Sequence, residues 1–236
     1  MPGKEVKTLI IGESHTEAVK RALQDQPNES ILLVNVKSLP QSPFATKGAV
    51  RPGYLKELSF DRVISMIGGN FHNSIGLIES PMPFDFFSPF EAPADASSGR
   101  TIIPYHDMLH FFRSAMTSGY LKKISALEQH FSLPTYHIAP PPPIADSTHI
   151  ALNPGGFFAD KVIQGIAPSS LRMKLYRLHG LVLQEFCESE RITLILPPPT
   201  AVDSGGFLAQ KYWKKDPTHA NTMYGHLILK QLQDLG

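Results

Sequence analysis

One cysteine, Cys187, is all that the 236 residues contain, so no disulfide can close within the chain. Its place in a helical apolar pattern is that of a small buried thiol rather than a reactive one. Charge of one sign is not in excess either: Lys and Arg total 22 against 21 for Asp and Glu. No basic stripe is interleaved with aromatics, so nucleic acid is not an expected partner. No apolar run reaches the roughly 18 residues that a membrane-spanning helix needs. The opening Met1-Pro2-Gly3-Lys4 passes directly into Val6–Ile11 without a long apolar leader region or a small-residue cleavage site, and the expectation is a soluble cytoplasmic protein. The sequon Asn28-Glu29-Ser30 carries no weight without a secretory route. Neither Gly-x-Gly-x-x-Gly nor a Walker sequence is present, which argues against a flavodoxin-like nucleotide binder, and no cofactor is expected.

What is present is a repeated alternation of short apolar runs and amphipathic segments. Continuous apolar runs occupy residues 6–11, 31–36, 62–67, 135–139 and 192–196. They lack polar alternation, as parallel strands covered on both faces do. Helical patterns fall at about Thr16 to Gln24, Tyr105 to His130, Ser169 to Glu190 and Ala220 to Leu235. Strands alternating with helices imply right-handed crossovers and a three-layer α/β/α arrangement, with five parallel strands in the flavodoxin-like order 2-1-3-4-5. The length suits one domain over 1–236.

Long segments rich in Pro and Gly follow the strands, at 37–56, 71–104, 140–168 and 197–215. All emerge at the carboxyl edge of the sheet, where open α/β sheets bind ligands. Phe84, Phe86, Phe87 and Phe90 in the second of them favour an ordered cover or pocket wall over a disordered tether. Asn153–Lys161 echoes Asp203–Lys211, and convergent loop composition is preferred over a true repeat.

Three short motifs sit at that edge. Gly12-Glu13-Ser14-His15-Thr16 sets a serine after the first strand at the entry to the first helix, where free amides can stabilise an anion beside a nucleophile; the bland alternative is a helix N-cap. Gly68-Gly69-Asn70 follows the third strand, and Asn70 could donate to an oxyanion, or else take a left-handed turn conformation. Asp216-Pro-Thr-His219 has the spacing for a carboxylate to hold one imidazole nitrogen while the other faces a serine hydroxyl. Its alternative is that Asp216 or Thr218 caps the last helix.

Together these blocks resemble the SGNH, or GDSL-like, hydrolase family. Gly12-Glu13-Ser14-His15 is similar to its Gly-Asp-Ser nucleophile block, with Glu13 in place of aspartate. Gly68-Gly69-Asn70 is similar to its Gly-x-Asn oxyanion block, and Asp216-Pro-Thr-His219 to its Asp-x-x-His block. His219–His226 resembles the continuation of that last block. The resemblance implies an ester hydrolase with Ser14 as nucleophile, His219 as base and Asp216 as its orienting carboxylate, with Asn70 in the oxyanion hole. The family's second-block glycine falls on Gly48 or Gly53, with Gly48 preferred. The implied substrate is an acyl or acetyl ester of a small molecule, lipid or glycan. Transfer to a second acceptor, and a non-catalytic binding domain, are the rival readings.

Other candidates are weaker. His106 and His110 share a helical face at zinc-site spacing, but no third ligand accompanies them, and surface or capping histidines are the expectation rather than a metal site. His15, His72 and His226 flank the motifs as neighbours, and Trp213 either lines the pocket or packs its own loop.

Overall fold

The computed structural model describes residues 6–36, 59–89 and 99–235. Gly48, Gly53 and Phe90 lie outside them.

Strand β1 (Thr8–Gly12) is buried along its whole length and leads through a tight turn into α1 (Thr16–Asp25). β2 (Ile31–Asn35) and β3 (Arg62–Met66) flank it in parallel, with Gly12 opposite both Asn35 and Met66. A short helix α2 (Phe71–Gly76) follows β3, and a two-residue ladder joins β4 (Phe84–Asp85) to β5 (Thr101–Ile102). Then come α3 (Tyr105–Met116), a π-helical turn over Thr117–Leu121, α4 (Lys122–Phe131) and β6 (Thr135–Ile138). Helices α5 (Ser147–Leu152) and α6 (Gly155–Phe158) precede the long α7 (Ser169–Ser189). β7 (Thr193–Ile195) and α8 (Thr222–Gln233) complete the order.

The main sheet is parallel, in the order β2-β1-β3-β6-β7. It is the order expected for the five apolar runs, each of which forms a strand within it. Alternation along these strands divides the core in two. Leu9, Ile11 and Val63 face Phe112, Ile124 and Leu175 on α3, α4 and α7. Ile10, Ile64 and Ile138 face Val19, Ala22 and Ile228 on α1 and α8. Parallel strands buried on both sides need this continuous apolar character.

Two expectations need correction. The single helix anticipated from Tyr105 to His130 is broken: Gly119 has φ −94° and ψ −114°, outside the helical region, between α3 and α4. Gly119 relaxes the steric cost of that break, and the apolar period continues across it, which is why the pattern read as one helix. The Pro- and Gly-rich segments also contain more regular structure than anticipated, namely α2, α5, α6 and the β4–β5 ladder. Each is six residues or fewer, too short to show a period. The two similar loop sequences fold differently: Gly155–Phe158 is helical, whereas Val202 and Leu208 pair across an antiparallel bridge. Convergent composition, the preferred reading, accounts for the echo.

Helices α1 and α8 cross at close range because Gly225 has no side chain. A Cβ there would stand 2.1 Å from the Ala18 carbonyl oxygen and 2.5 Å from its carbonyl carbon. Backbone atoms cannot yield as a side-chain tip can, so Gly225→Ala must push the helices apart. The expected result is a loss of about 2 kcal/mol or more in urea unfolding, at or above the middle of the range for overpacked cores. An unchanged urea midpoint would mean that the crossing is not tight.

Candidate active site

The turn from β1 to α1 is made by backbone: the Thr16 amide donates to the Glu13 carbonyl (3.0 Å) and the Glu17 amide to the Ser14 carbonyl (3.2 Å). The N-cap position is His15, and no side chain caps the helix. Ser14 is therefore not used as a cap and remains partly exposed just beyond the carboxyl end of β1. Gly12 is required below it, since a Cβ there would lie 2.6 Å from both Cβ and O of Met66 on β3. Glu13, where the family pattern carries aspartate, is only partly exposed and pairs with Lys123 of α4 at 3.5 Å.

Asp216 and His219 form a compact polar unit. His219 Nδ1 lies 2.7 Å from Asp216 Oδ1, and the same oxygen accepts from the amides of Thr218 (2.9 Å) and His219 (3.0 Å). Burial pushes the Asp216 carboxyl up, but the hydrogen bond and charge of His219, with the two amides, outweigh it and hold it well below the ordinary carboxylate range. The Nδ1–H tautomer is the one that donates to an ionised Asp216, which leaves Nε2 as an acceptor. Helix capping, the alternative for this motif, falls to another residue: the Asn221 side chain accepts from the amides of Met223 and Tyr224. Its Nδ2 also donates to the carbonyls of Lys211 and Trp213, which fastens the start of α8 to the loop before Asp216.

Ser14 and His219 line one pocket, together with His15, Gly69, Lys214, Tyr224 and an apolar wall from Met66 and Ile138 to Pro141. The imidazoles of His15 and His219 lie with centroids 4.8 Å apart. His219 Nε2 is buried and has no hydrogen-bond partner among the described residues, so the Ser14 hydroxyl does not reach it in this conformation. Such contacts are often long until substrate binds.

The glycine block beside this pocket is held from two sides. Gly68 has φ +79°, and a Cβ there would stand 2.1 Å from the Tyr120 ring; one on Gly69 would stand 2.8 Å from His15 Cδ2. Positive φ belongs to Gly68, not to Asn70, whose φ is −116°, which removes the left-handed alternative for the asparagine. Asn70 is the N-cap residue of α2 without capping it, and its Oδ1 accepts from Asn73 Nδ2 at 2.8 Å. That bond turns the Asn70 amide so that its NH2 remains a donor. Gly69, and not Asn70, lines the pocket.

Sequence reasoning did not single out Tyr224, Lys214 or the proline wall as pocket residues, and no spacing signal marks them. It also missed a buried histidine group behind the glycine block. His72 and His179 share a contact of 2.9 Å between their Nδ1 atoms, and Tyr120 bonds His179 Nε2 at 2.5 Å. His137 is 1 % exposed and neither ring nitrogen has a partner among the described residues. His226 instead faces Asp25 at 3.3 Å, and Trp213 donates to the Leu208 carbonyl and rests on His149, packing its own loop. His106 and His110 are exposed, His106 pairing with Asp107. Among the described residues no group of three or more metal-ligating side chains occurs, and no helix is long and apolar enough to cross a membrane.

Comparison with known proteins adds the fold's relatives. Neither a protein-family model nor a curated protein sequence matches the chain. Among solved structures, a Bacteroides fragilis protein described as an acylhydrolase is similar over 98% of this chain and 86% of its own, with TM-score 0.50 and 13% identity. A GDSL-like lipase from Bacteroides thetaiotaomicron covers 98% and 87%, with TM-score 0.49 and 12% identity. The likeness is one of fold: a three-layer α/β/α arrangement around a five-stranded parallel sheet. In such a sheet the loops after β1, β3 and β7 converge at the crevice where ligands bind, which is where Ser14, Gly69 and His219 stand.

Burial lowers all three histidines behind this pocket. His137 falls to about 4; His179 falls to about 3, with the His137 charge also opposing its protonation; His72 falls well below its ordinary value, with His179 and His15 adding to burial. The unfolded chain takes up these protons below about pH 6.5 while the folded chain refuses them. Stability should be full above about pH 6.5 and fall toward pH 4, with a slope of up to about 1.4 kcal/mol per pH unit for each histidine. Urea midpoints measured across that range check this. His137→Leu should be near neutral at pH 7, since it removes two unpartnered polar atoms, and should flatten the slope. A wild-type midpoint constant from pH 7 to 5 would contradict neutral burial.

Proposed function

We propose that the protein is a serine ester hydrolase with Ser14 as nucleophile, His219 as general base and Asp216 as the carboxylate that orients it. The observation that carries this reading is the Asp216–His219 pair at 2.7 Å with Nε2 left as an acceptor in the pocket that Ser14 lines. A fold shared with acylhydrolases supports the reaction class by analogy.

In the proposed reaction, Ser14 turns its hydroxyl to His219 Nε2 and attacks the ester carbonyl as its proton passes to the imidazole. Asp216 stabilises the imidazolium without taking the proton. The tetrahedral oxyanion draws on the Ser14 amide at the head of α1, the Asn70 side-chain amide and a glycine that follows β2 in sequence, with Gly48 proposed ahead of Gly53. Collapse breaks the bond to the alcohol, which leaves with the proton from His219. Water activated by the same Nε2 then hydrolyses the acyl-enzyme. A short acyl or acetyl ester of a carbohydrate, lipid or small metabolite fits the apolar wall beside Ser14, and one domain suffices for all steps.

A non-catalytic binding domain is the second reading, favoured by the unmade Ser14–His219 hydrogen bond. Hydrolysis of p-nitrophenyl acetate, butyrate and octanoate separates the two. Ser14→Ala and His219→Ala should each lose about a thousandfold or more in kcat, and Asn70→Ala about a hundredfold, with folding retained. A folded wild type that cleaves none of the three, or a Ser14→Ala variant as active as wild type, would contradict the hydrolase reading.

A further inference from the structure

Among the polar groups of the pocket that the proposed chemistry does not use, one is a buried hydroxyl. Tyr224, in the first turn of α8, is 3 % exposed and lines the pocket with Ser14 and His219, yet its hydroxyl has no hydrogen-bond partner among the described residues. Other aromatic polar groups nearby are provided for. Tyr176 donates to the Pro140 carbonyl at 3.1 Å, Trp213 to the Leu208 carbonyl at 2.6 Å, and Tyr120 shares a bond with His179. An orphaned buried hydroxyl costs about 1–3 kcal/mol, and phenylalanine would fill the same volume without that cost.

The ring is not free to turn the hydroxyl elsewhere. It meets Tyr212 edge-on, with centroids 6.5 Å apart, and Gly225 immediately after it lies against the Ala18 backbone. Of the pocket lining, Ala18, Met66, Ile138, Ala139 and Ala220 offer no side-chain acceptor, and Ser14, Glu17 and His219, which do, are not bonded to the Tyr224 hydroxyl. Burial pushes the phenol well above its ordinary value, with the nearby Tyr176 adding to the effect, so it stays protonated and able to donate.

We infer that Tyr224 is a specificity-determining residue whose hydroxyl donates a hydrogen bond to an acceptor atom carried by the acyl group of the substrate. This rests on the ester-hydrolase reading and names the substrate class more closely: a short acyl group, apolar on its flanks, with an ether, carbonyl or hydroxyl oxygen a few bonds beyond the ester carbonyl. The acyl half is assigned here because the lining beside Ser14, drawn from α1, α8 and the ends of β3 and β6, is mostly apolar. A site built to bond a substrate oxygen rejects the analogue that lacks it, because its own polar group is then left unpaired.

The test uses two matched pairs of p-nitrophenyl esters, methoxyacetate against butyrate and 3-methoxypropionate against pentanoate. Within each pair one ether oxygen replaces one methylene. The quantity read is the kcat/KM ratio of ether to hydrocarbon ester, compared between wild type and Tyr224→Phe so that intrinsic ester reactivity cancels. In at least one pair the ratio should fall about tenfold in the variant, with Tm unchanged or higher. A merely structural role would lower both esters together and leave the ratio fixed. An unchanged ratio in both pairs, in a variant that still cleaves butyrate, would overturn the role of Tyr224 and leave the hydrolase reading standing. A wild type inactive on all four esters would overturn both.

Discussion

The close crossing of α1 and α8 is the contact on which the arrangement at the sheet edge depends. Gly225 lies against the Ala18 carbonyl. Ser14 precedes Ala18 by about one turn, and His219 precedes Gly225 by less than two. The two groups proposed to exchange a proton are therefore carried on the leading ends of two helices locked together by backbone contact. Gly12 acts in the same way one layer down, letting β1 and β3 end side by side so that the serine turn and the glycine block leave the sheet at one level. Small residues at these two places decide geometry more than any hydrogen bond in the pocket does.

Around that frame the polar groups divide by how fully they are satisfied. Asp216 Oδ1 accepts from His219 and two amides, and its ionisation is favoured by them. His219 Nε2 and the Tyr224 hydroxyl have no partners among the described residues and border the same pocket. Buried polar atoms are ordinarily paired, so two unpaired ones in a single crevice mark where a substrate would supply what the protein does not. The histidines behind the glycine block have a different cost. They are kept neutral by burial and make the fold sensitive to acid, while Tyr120, bonded to His179, packs against Gly68.

The fold was legible because its strands are continuous apolar runs. Residues 6–11 and 62–67 announce parallel strands covered on both faces, and the crossover rule then leaves few orders to consider. The Asp216–His219 pair was legible for a local reason: they stand three positions apart, and the turn between them brings them into contact without help from elsewhere. What could not be read depends on contacts between distant segments. Gly119 breaks a helix whose apolar period runs straight through it. Tyr224 looks like an ordinary core position at helical spacing, and only the pocket beside it reveals an unpaired hydroxyl. His137 and His179 lie in strand and helix patterns that say nothing of the company they keep. Asn70 was expected in the pocket, whereas Gly69 lines it and Asn70 stands one residue beyond, oriented by Asn73.

The central claim is that Ser14 is a nucleophile activated by His219, and covalent labelling tests it without knowledge of the substrate. The folded protein would be treated with a fluorophosphonate at pH 8, and the adduct counted by intact mass and located by peptide mass spectrometry. The account predicts one adduct per chain, on Ser14, with labelling abolished in Ser14→Ala and slowed at least about a hundredfold in His219→Ala. A folded wild type that takes up no label, or takes it up at a residue other than Ser14, would contradict it.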